Sequence, residues 1–149
     1  MSDPVITQID IAATPEAVWA VVMDPDRLGD WVSIHRGLDE HDASPPRVGS
    51  TMKQNLVLRG AKFKVKWELV RCDEPHLAEW HGRGPARSKA ETEYRLEAHE
   101  GGTRFHYRNE FKAPLGPLGA VASKALVGGL PEKEATASLT ALKQLLEKS

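Results

Sequence analysis

Apolar and polar residues alternate with a period of two along most of the chain between residues 50 and 112. Such alternation is typical of antiparallel strands that bury one face and expose the other. It predicts five strands: Ser50–Arg59, Ala61–Cys72, Leu77–Gly82, Ala86–Ala98 and Thr103–Lys112. Glycines between neighbouring strands indicate tight turns, at Arg59-Gly60-Ala61 and at Glu100-Gly101-Gly102.

The N-terminal part combines one strand with two short helices. The segment Val5–Ile11 has the alternation of a strand. Thr14 can cap a helix, and Pro15 suits a first helical position. This helix is expected to stop at Asp24-Pro25, and a second short helix to reach Trp31. No strand is predicted between Trp31 and the loop 42–49.

Helical spacing runs through the C-terminal part of the chain to Leu146. Two stripes of small and apolar residues are predicted, Val121, Ala122, Ala125, Leu126 and Ala135, Ser138, Leu139, Leu142, Leu146. A helix of about 30 residues would be roughly 45 Å long and could cross a curved sheet. Pro131 lies inside this stretch, where we expect a kink or a break. The segment 114–119 before it is expected to be a flexible connection.

The element order predicts one α+β domain over residues 1–149. A curved antiparallel sheet would wrap around a long C-terminal helix, with two short helices after the first strand and a hollow between sheet and helix. The length of 149 residues suffices for one real core.

Composition narrows the function classes. The formal net charge of −1 gives no reason to expect nucleic acid as a partner. The single cysteine, Cys72, excludes an intrachain disulfide and fits a reducing, cytoplasmic location. No signal peptide and no membrane-spanning stretch are predicted.

Several polar residues share the predicted inward faces with apolar ones: Gln54, Thr92, Tyr94, Tyr107 and Asn109. A buried polar atom without a partner costs roughly 1–3 kcal/mol, so these groups must bond each other, water or a ligand. Binding cavities are mostly apolar with a few placed polar groups, which is the mixture found here.

Trp67 and Trp80 fall on the same inward faces, where they could line a pocket or simply fill the core. Arg71 shares the parity of Trp67 and could turn its cation into the end of a cavity; the alternative is an arginine that reaches solvent.

Specific catalytic chemistry has little support in the sequence. The six histidines are scattered without metal-ligand spacing, so no metal and no other cofactor is predicted. There is no Gly-x-Ser-x-Gly elbow, and Cys72 has no evident base beside it. His35 could be an acid or base at a cavity rim, or an exposed loop histidine. No catalytic residue is assigned.

The chain resembles the START-like superfamily. The features that carry the resemblance are the opening strand, Pro15–Trp19, Asp24-Pro25 with Trp31, the strand series and the closing helix. Within this superfamily, also called SRPBCC, the chain is most similar to the bacterial polyketide cyclase/dehydrase and lipid-transport group. The resemblance implies a helix-grip fold around an apolar cavity. It also implies that Trp31 lies beside the cavity mouth.

Three functions are compatible with this resemblance. The first is binding of a small hydrophobic or amphipathic molecule such as a lipid, a polyketide or an aromatic compound. The second is a cyclase, aromatase or dehydratase that folds a flexible substrate in the same cavity, with Tyr94, Tyr107, Asn109 and Arg71 as candidates. The third is a protein-interaction module of the chaperone-cofactor type. The expected ligand contacts are Gln54, Trp67, Trp80, Thr92, Tyr94, Tyr107, Asn109, Arg71 and Trp31.

Overall fold

The computed structural model describes residues 5–41, 46–58, 61–84, 88–112 and 130–147. The elements follow in this order: β1 (Val5–Ile11), α1 (Pro15–Val22), a 3-10 turn (Pro25–Arg27), α2 (Leu28–Trp31), β2 (His35–His41), β3 (Thr51–Leu58), β4 (Ala61–Asp73), β5 (Leu77–Arg83), β6 (Lys89–His99), β7 (Gly102–Lys112) and α3 (Leu130–Glu147).

The strands form one curled antiparallel sheet of seven strands in the order β1-β7-β6-β5-β4-β3-β2. The predicted strand series and the α+β helix-grip architecture are confirmed. Strand β2 was not predicted. Its sequence, HRGLDEH, lacks regular alternation, and its pairing with β3 contains two register irregularities. Pairing with β3 therefore determines the position of β2 more than the hydrophobic pattern of β2 itself does.

Helix α1 begins where its predicted cap, Thr14, places it, and Asp24, predicted only as a helix stop, also caps the turn that follows. Thr14 Oγ1 accepts a hydrogen bond from the Ala17 amide at 3.2 Å and caps α1. Asp24 Oδ1 accepts from the Asp26 amide at 3.0 Å and caps the following 3-10 turn. These caps redirect the chain so that α2 lies on the concave side of the sheet, where Leu28 and Trp31 are buried.

The β6–β7 hairpin confirms the turn predicted from its glycines. Glu100 and Gly101 both have positive φ, 50° and 83°, as a two-residue hairpin turn of the primed type requires. Gly102 follows, and a Cβ there would lie 2.3 Å from the Ile11 carbonyl oxygen. The second glycine thus lets β1 approach the hairpin closely. The other predicted turn, at residues 59 and 60, lies outside the described residues.

Strand β4 contains a bulge that changes which side chains face inward. Leu69 pairs with Trp80, but Arg71 pairs with Glu79, so one extra residue lies in β4 between them. Leu69 is buried and Arg71 is exposed. The prediction that Arg71 shares the inward parity of Trp67 and Leu69 is therefore wrong.

Helix α3 packs mainly against β1 and α2. Its buried residues are Ala135, Ser138, Leu139 and Leu142, with Leu146 partly buried, as the second predicted stripe requires. Pro131 is the second residue of the described part of α3, Leu130–Glu147. The kink or break expected at Pro131 would involve the residues before it, which lie outside the described ranges. The first predicted stripe and the segment 114–119 lie outside the described residues.

Hydrogen bonds fix α3 at two places along its described length. The Ser33 amide donates to Ser138 Oγ at 2.9 Å, and Ser33 Oγ donates to the Glu134 carboxylate. Further along the helix, the Glu147 carboxylate accepts from the Ala12 amide at 2.9 Å. These bonds anchor α3 to the α2–β2 connection and to the turn after β1. None of the described helices combines the length and apolar character that crossing a bilayer demands.

Candidate functional site on the inner face of the sheet

The inner face of the sheet brings together most of the residues predicted to meet a ligand. Strand register places Trp80 opposite Thr92, Thr92 opposite Asn109 and Tyr94 opposite Tyr107. Asn109 is partly buried. Six of the predicted residues on these strands are buried: Gln54, Trp67, Trp80, Thr92, Tyr94 and Tyr107.

A chain of hydrogen bonds runs across β4, β3 and β2. Trp67 Nε1 donates to Gln54 Oε1 at 2.8 Å, and Gln54 Nε2 is 2.8 Å from His35 Nδ1. Because the Gln54 side-chain oxygen accepts the hydrogen bond from Trp67, the Gln54 side-chain nitrogen Nε2 is the atom that donates to His35. His35 Nδ1 therefore accepts, and the proton of the neutral ring is on Nε2. Thus all three polar groups have partners.

His35 is the first residue of β2 and is half-buried, which excludes the exposed-loop alternative. Burial lowers the pKa of His35 from its ordinary value of 6.5, and the Arg36 cation lowers it further. Both causes disfavour the imidazolium form, in agreement with Nδ1 as an acceptor. The ring edge approaches α2, since a Cβ on Gly29 would lie 3.6 Å from His35 Cδ2.

Gly82 has no side chain, and this leaves space for the Trp67 indole. A Cβ at Gly82, the partner of Trp67 on β5, would lie 2.6 Å from Val65 Cγ1 and 2.8 Å from Trp67 Cε3. At these distances the added Cβ would force Val65 and Trp67 to move. The glycine therefore allows the indole to lie flat over β5 and to reach Gln54.

A second group, the aromatic cluster, consists of Trp31, Tyr94, Phe105 and Tyr107. The Trp31 ring lies edge-on to the other three, at centroid distances of 5.8 Å from Tyr94, 6.3 Å from Phe105 and 6.3 Å from Tyr107. Such edge-to-face pairs add to the stabilisation that burial gives. Trp31 is only 2% exposed, so it lies within the core and not at a mouth, contrary to expectation. The contacts of the Trp31 ring with Tyr94 of β6 and with Phe105 and Tyr107 of β7 explain the difference.

The two tyrosines of the aromatic cluster remain neutral hydroxyl groups at physiological pH. Burial raises the pKa of Tyr107 to about 12. Burial, followed by the nearby Tyr107, raises the pKa of Tyr94 well above its ordinary value. Both hydroxyls can donate hydrogen bonds but are poor bases. Beside them, Thr92 Oγ1 donates to Asn109 Oδ1 at 3.0 Å.

Two buried polar atoms next to Tyr107 have no hydrogen-bond partner within the described parts of the chain. One is Trp31 Nε1 and the other is Thr7 Oγ1. Thr7 pairs with Tyr107 across β1 and β7. Elsewhere the fold satisfies comparable groups: Thr103 Oγ1, on the same strand as Tyr107, donates to the Ala13 carbonyl at 2.7 Å.

Sequence reasoning missed parts of this arrangement. Thr7 shares the parity of Val5 and Ile9, which pack against the core, so alternation along β1 could have identified it. The bond between Gln54 and His35 had no sequence signal because β2 was not predicted. Arg71 is not part of the candidate site, because the bulge in β4 turns its side chain to solvent.

Other candidate sites are weaker. Within the described ranges, no three His, Cys, Asp or Glu side chains converge as metal ligands. A surface groove of about 440 Å³ lies between α1 and the β4–β5 turn. Its lining consists of Glu16, Trp19, Ala20, Met23, Asp24, Pro46, Glu74 and Pro75, none of which belongs to the inner-face site.

Comparison with known proteins agrees with this architecture. Residues 5–147 match the family model described as polyketide cyclase/dehydrase and lipid transport. An uncharacterized protein of Mycobacterium tuberculosis is 28% identical over 123 residues, which cover 80% of this chain and 85% of the relative.

Solved structures show the same fold at low identity. A Thermus thermophilus protein superposes with a TM-score of 0.76 at 19% identity, covering 98% of each chain. The aromatase/cyclase Zhui from Streptomyces has a TM-score of 0.74 at 15% identity, covering 99% of this chain and 95% of its own.

The fold and the inner face define a helix-grip protein of the START-like, or SRPBCC, type. Because the match spans nearly the whole sequence, the chain belongs to the polyketide cyclase/dehydrase and lipid-transport family.

Proposed function

We propose that this protein binds a small hydrophobic or amphipathic molecule, such as a lipid, a polyketide or an aromatic compound, between the inner face of the sheet and the C-terminal helix. The observation that carries the proposal is the mixture on that face. Aromatic walls formed by Trp67, Trp80 and Tyr107 surround a few polar groups. Family membership supports hydrophobic ligand binding as the general role.

The chemistry of the inner face favours an uncharged or weakly polar ligand. Among the described residues that face inward, none is a lysine or arginine, and Arg71 is exposed. Transfer of an unpaired charge into such surroundings is strongly unfavourable. Thr92, Asn109 and the two tyrosine hydroxyls are suited to orient polar groups of a mainly apolar molecule. We also propose a cytosolic location, which the half-buried single cysteine supports.

A neutral fluorophore can test this proposal. N-phenylnaphthylamine emits more strongly when it leaves water for an apolar cavity. We expect saturable binding to the protein, and we expect Thr92→Phe, which fills the inner face, to weaken it by roughly tenfold, or about 1.4 kcal/mol. Glu93→Phe adds the same ring to the opposite face of the same strand and is the matched control.

The outcome distinguishes the inner face from other surfaces. Weaker binding by Thr92→Phe alone supports the proposal. Absence of binding to the wild-type protein, or equal binding by both variants, would refute it. Circular dichroism of both variants would confirm that each retains the fold.

Catalysis in the same cavity is a second candidate, supported by the family description and by the similarity of fold to the aromatase/cyclase. Because Tyr94 and Tyr107 remain protonated, we expect them to donate hydrogen bonds to substrate carbonyls while the cavity folds the chain into a reactive conformer. Turnover of a poly-β-ketone thioester should fall when Tyr94, Tyr107 and Asn109 are replaced together. Unchanged turnover would reject these roles.

A protein-interaction role has less support. It predicts an exposed apolar patch, whereas the described residues include only two strongly exposed large apolar side chains, Ile6 and Val48.

A further inference from the structure

The described residues provide no hydrogen-bond acceptor for the buried indole N–H of Trp31. The residue is 2% exposed, and its Nε1 has no partner among the described residues. An indole nitrogen can only donate. A buried donor without an acceptor is costly, and most such groups in folded proteins are satisfied. The missing partner must therefore be an acceptor.

The unpaired donor lies in the part of the inner face that is richest in polar hydrogens. The Trp31 ring contacts Tyr94 and Tyr107 at 5.8 Å and 6.3 Å between centroids. Thr7, whose Oγ1 also has no partner among the described residues, pairs directly with Tyr107. Two groups that the described part of the chain leaves unsatisfied thus lie beside one tyrosine. In contrast, the Trp67 N–H, on the other side of the inner face, is bonded to Gln54.

We propose that the ligand carries a neutral carbonyl oxygen that binds beside Trp31 and accepts the hydrogen bond of its Nε1. Thr7 Oγ1 donates to the same oxygen or to a neighbouring polar group of the ligand. This inference rests on the proposed function and specifies its ligand class: a mainly apolar molecule with a buried ketone-type oxygen.

A neutral oxygen fits this position better than a carboxylate. The described side chains around Trp31 are apolar or aromatic, with neutral tyrosine hydroxyls. The inward-facing described residues include no cation to compensate a carboxylate. One or two neutral donors satisfy a carbonyl oxygen, whereas a buried anion would require more.

Two ligands that differ by one oxygen can test the inference. α-Tetralone and tetralin have the same fused rings, and only the former has a ketone. In a ¹H–¹⁵N spectrum the four tryptophans give four indole signals. Loss of one signal in Trp31→Phe assigns Trp31. The signal of Trp19, which lies outside the inner-face site, is the internal control and is assigned in the same way with Trp19→Phe.

We expect α-tetralone to shift the Trp31 indole proton downfield and to bind about five- to tenfold more tightly than tetralin, the ratio that one hydrogen bond confers. Replacing Trp31 with benzothienylalanine, which has sulfur in place of the N–H, keeps the ring shape and should reduce that ratio to about twofold or less. This isostere serves if Trp31→Phe does not fold.

The possible failures are distinguishable. Equal affinities for the two ligands, with an unmoved Trp31 signal, would overturn the inference and leave the proposed function standing. Binding of neither ligand would count against both. If the benzothienylalanine variant still preferred α-tetralone over tetralin as strongly as the wild-type protein does, another group would hold the oxygen. That result would also overturn the inference.

Discussion

Trp31 and Trp67 are both nearly fully buried indoles on the concave side of the sheet, yet their polar atoms differ. Trp67 Nε1 donates to Gln54, which in turn donates to His35. Trp31 Nε1 has no partner within the described chain, although three aromatic rings surround its own. The comparison shows that the fold itself satisfies the indole N–H of Trp67, whereas among the described residues the indole N–H of Trp31 is left as a free hydrogen-bond donor.

The most disruptive change should be one that displaces Trp67. Gly82→Ala places a methyl group 2.8 Å from Trp67 Cε3 and 2.6 Å from Val65 Cγ1, so the indole must move away from Gln54. We expect a loss of roughly 3 kcal/mol in the free energy of unfolding, from overpacking and the broken hydrogen bond. Urea denaturation measures this loss.

Gly37→Ala is the control for the preceding change. Gly37 also lies in a strand, but its Cβ would meet no atom within 4 Å. A destabilisation of Gly82→Ala no larger than that of Gly37→Ala would contradict the close approach of Trp67 to β5.

Gln54→Leu should be the next largest change. It replaces the amide with an apolar side chain of similar size and leaves Trp67 Nε1 and His35 Nδ1 without these partners. We expect a loss of about 2 kcal/mol in the free energy of unfolding. Asn55→Ala on the same strand removes only an exposed bond to Asp39 and should have little effect. Similar losses for both variants would show that the buried chain of hydrogen bonds contributes little.

An isosteric replacement compares the two tryptophans directly. Benzothienylalanine at position 67 should cost about 1–2 kcal/mol, because it leaves the buried Gln54 oxygen unpaired. At position 31 the same replacement should be neutral or stabilising, because it removes an unsatisfied donor. Thermal denaturation of both ligand-free proteins measures the difference. Equal losses at the two positions would contradict the comparison.

The pH dependence of stability should reflect His35, with the smallest effect of the four. Its pKa is lowered in the folded state, chiefly by burial, so the unfolded state binds more protons below pH 6.5. Stability should therefore fall as the pH drops below about 6.5, until the folded-state pKa is passed.

His35→Asn isolates this contribution, since its side-chain oxygen can accept from Gln54 without titrating. The wild-type protein should lose more stability than the variant between pH 7.5 and 5.5 in denaturant titrations. Parallel pH profiles would exclude His35 as the source.

Sequence reasoning succeeded where alternation and capping are local. The buried residues Thr92, Tyr94 and Tyr107 and the stripe from Ala135 to Leu142 follow from periodicity, and the cap at Thr14 follows from the capping preference of threonine. These features depend on neighbours within a strand or a helical turn. They therefore needed no knowledge of tertiary structure.

The predictions failed where pairing between residues distant in sequence determines which segments form strands and which side chains face inward. Alternation cannot reveal the bulge before Arg71, because the extra residue is defined only by pairing with β5. Strand β2 depends on β3 for its pairing, so the His35–Gln54 bond was hidden as well. The position of Trp31 depends on contacts of its ring with residues of β6 and β7 that are distant in sequence, so the sequence around Trp31 does not specify it.

The central claim is that the inner face holds a small hydrophobic molecule, and native mass spectrometry of the protein purified from its own host tests it most directly. We predict a mass in excess of the polypeptide that disappears on denaturation, and extraction should yield a mainly apolar compound. A protein that carries no such mass and takes up none from a panel of lipids, polyketides and aromatic compounds would contradict the claim.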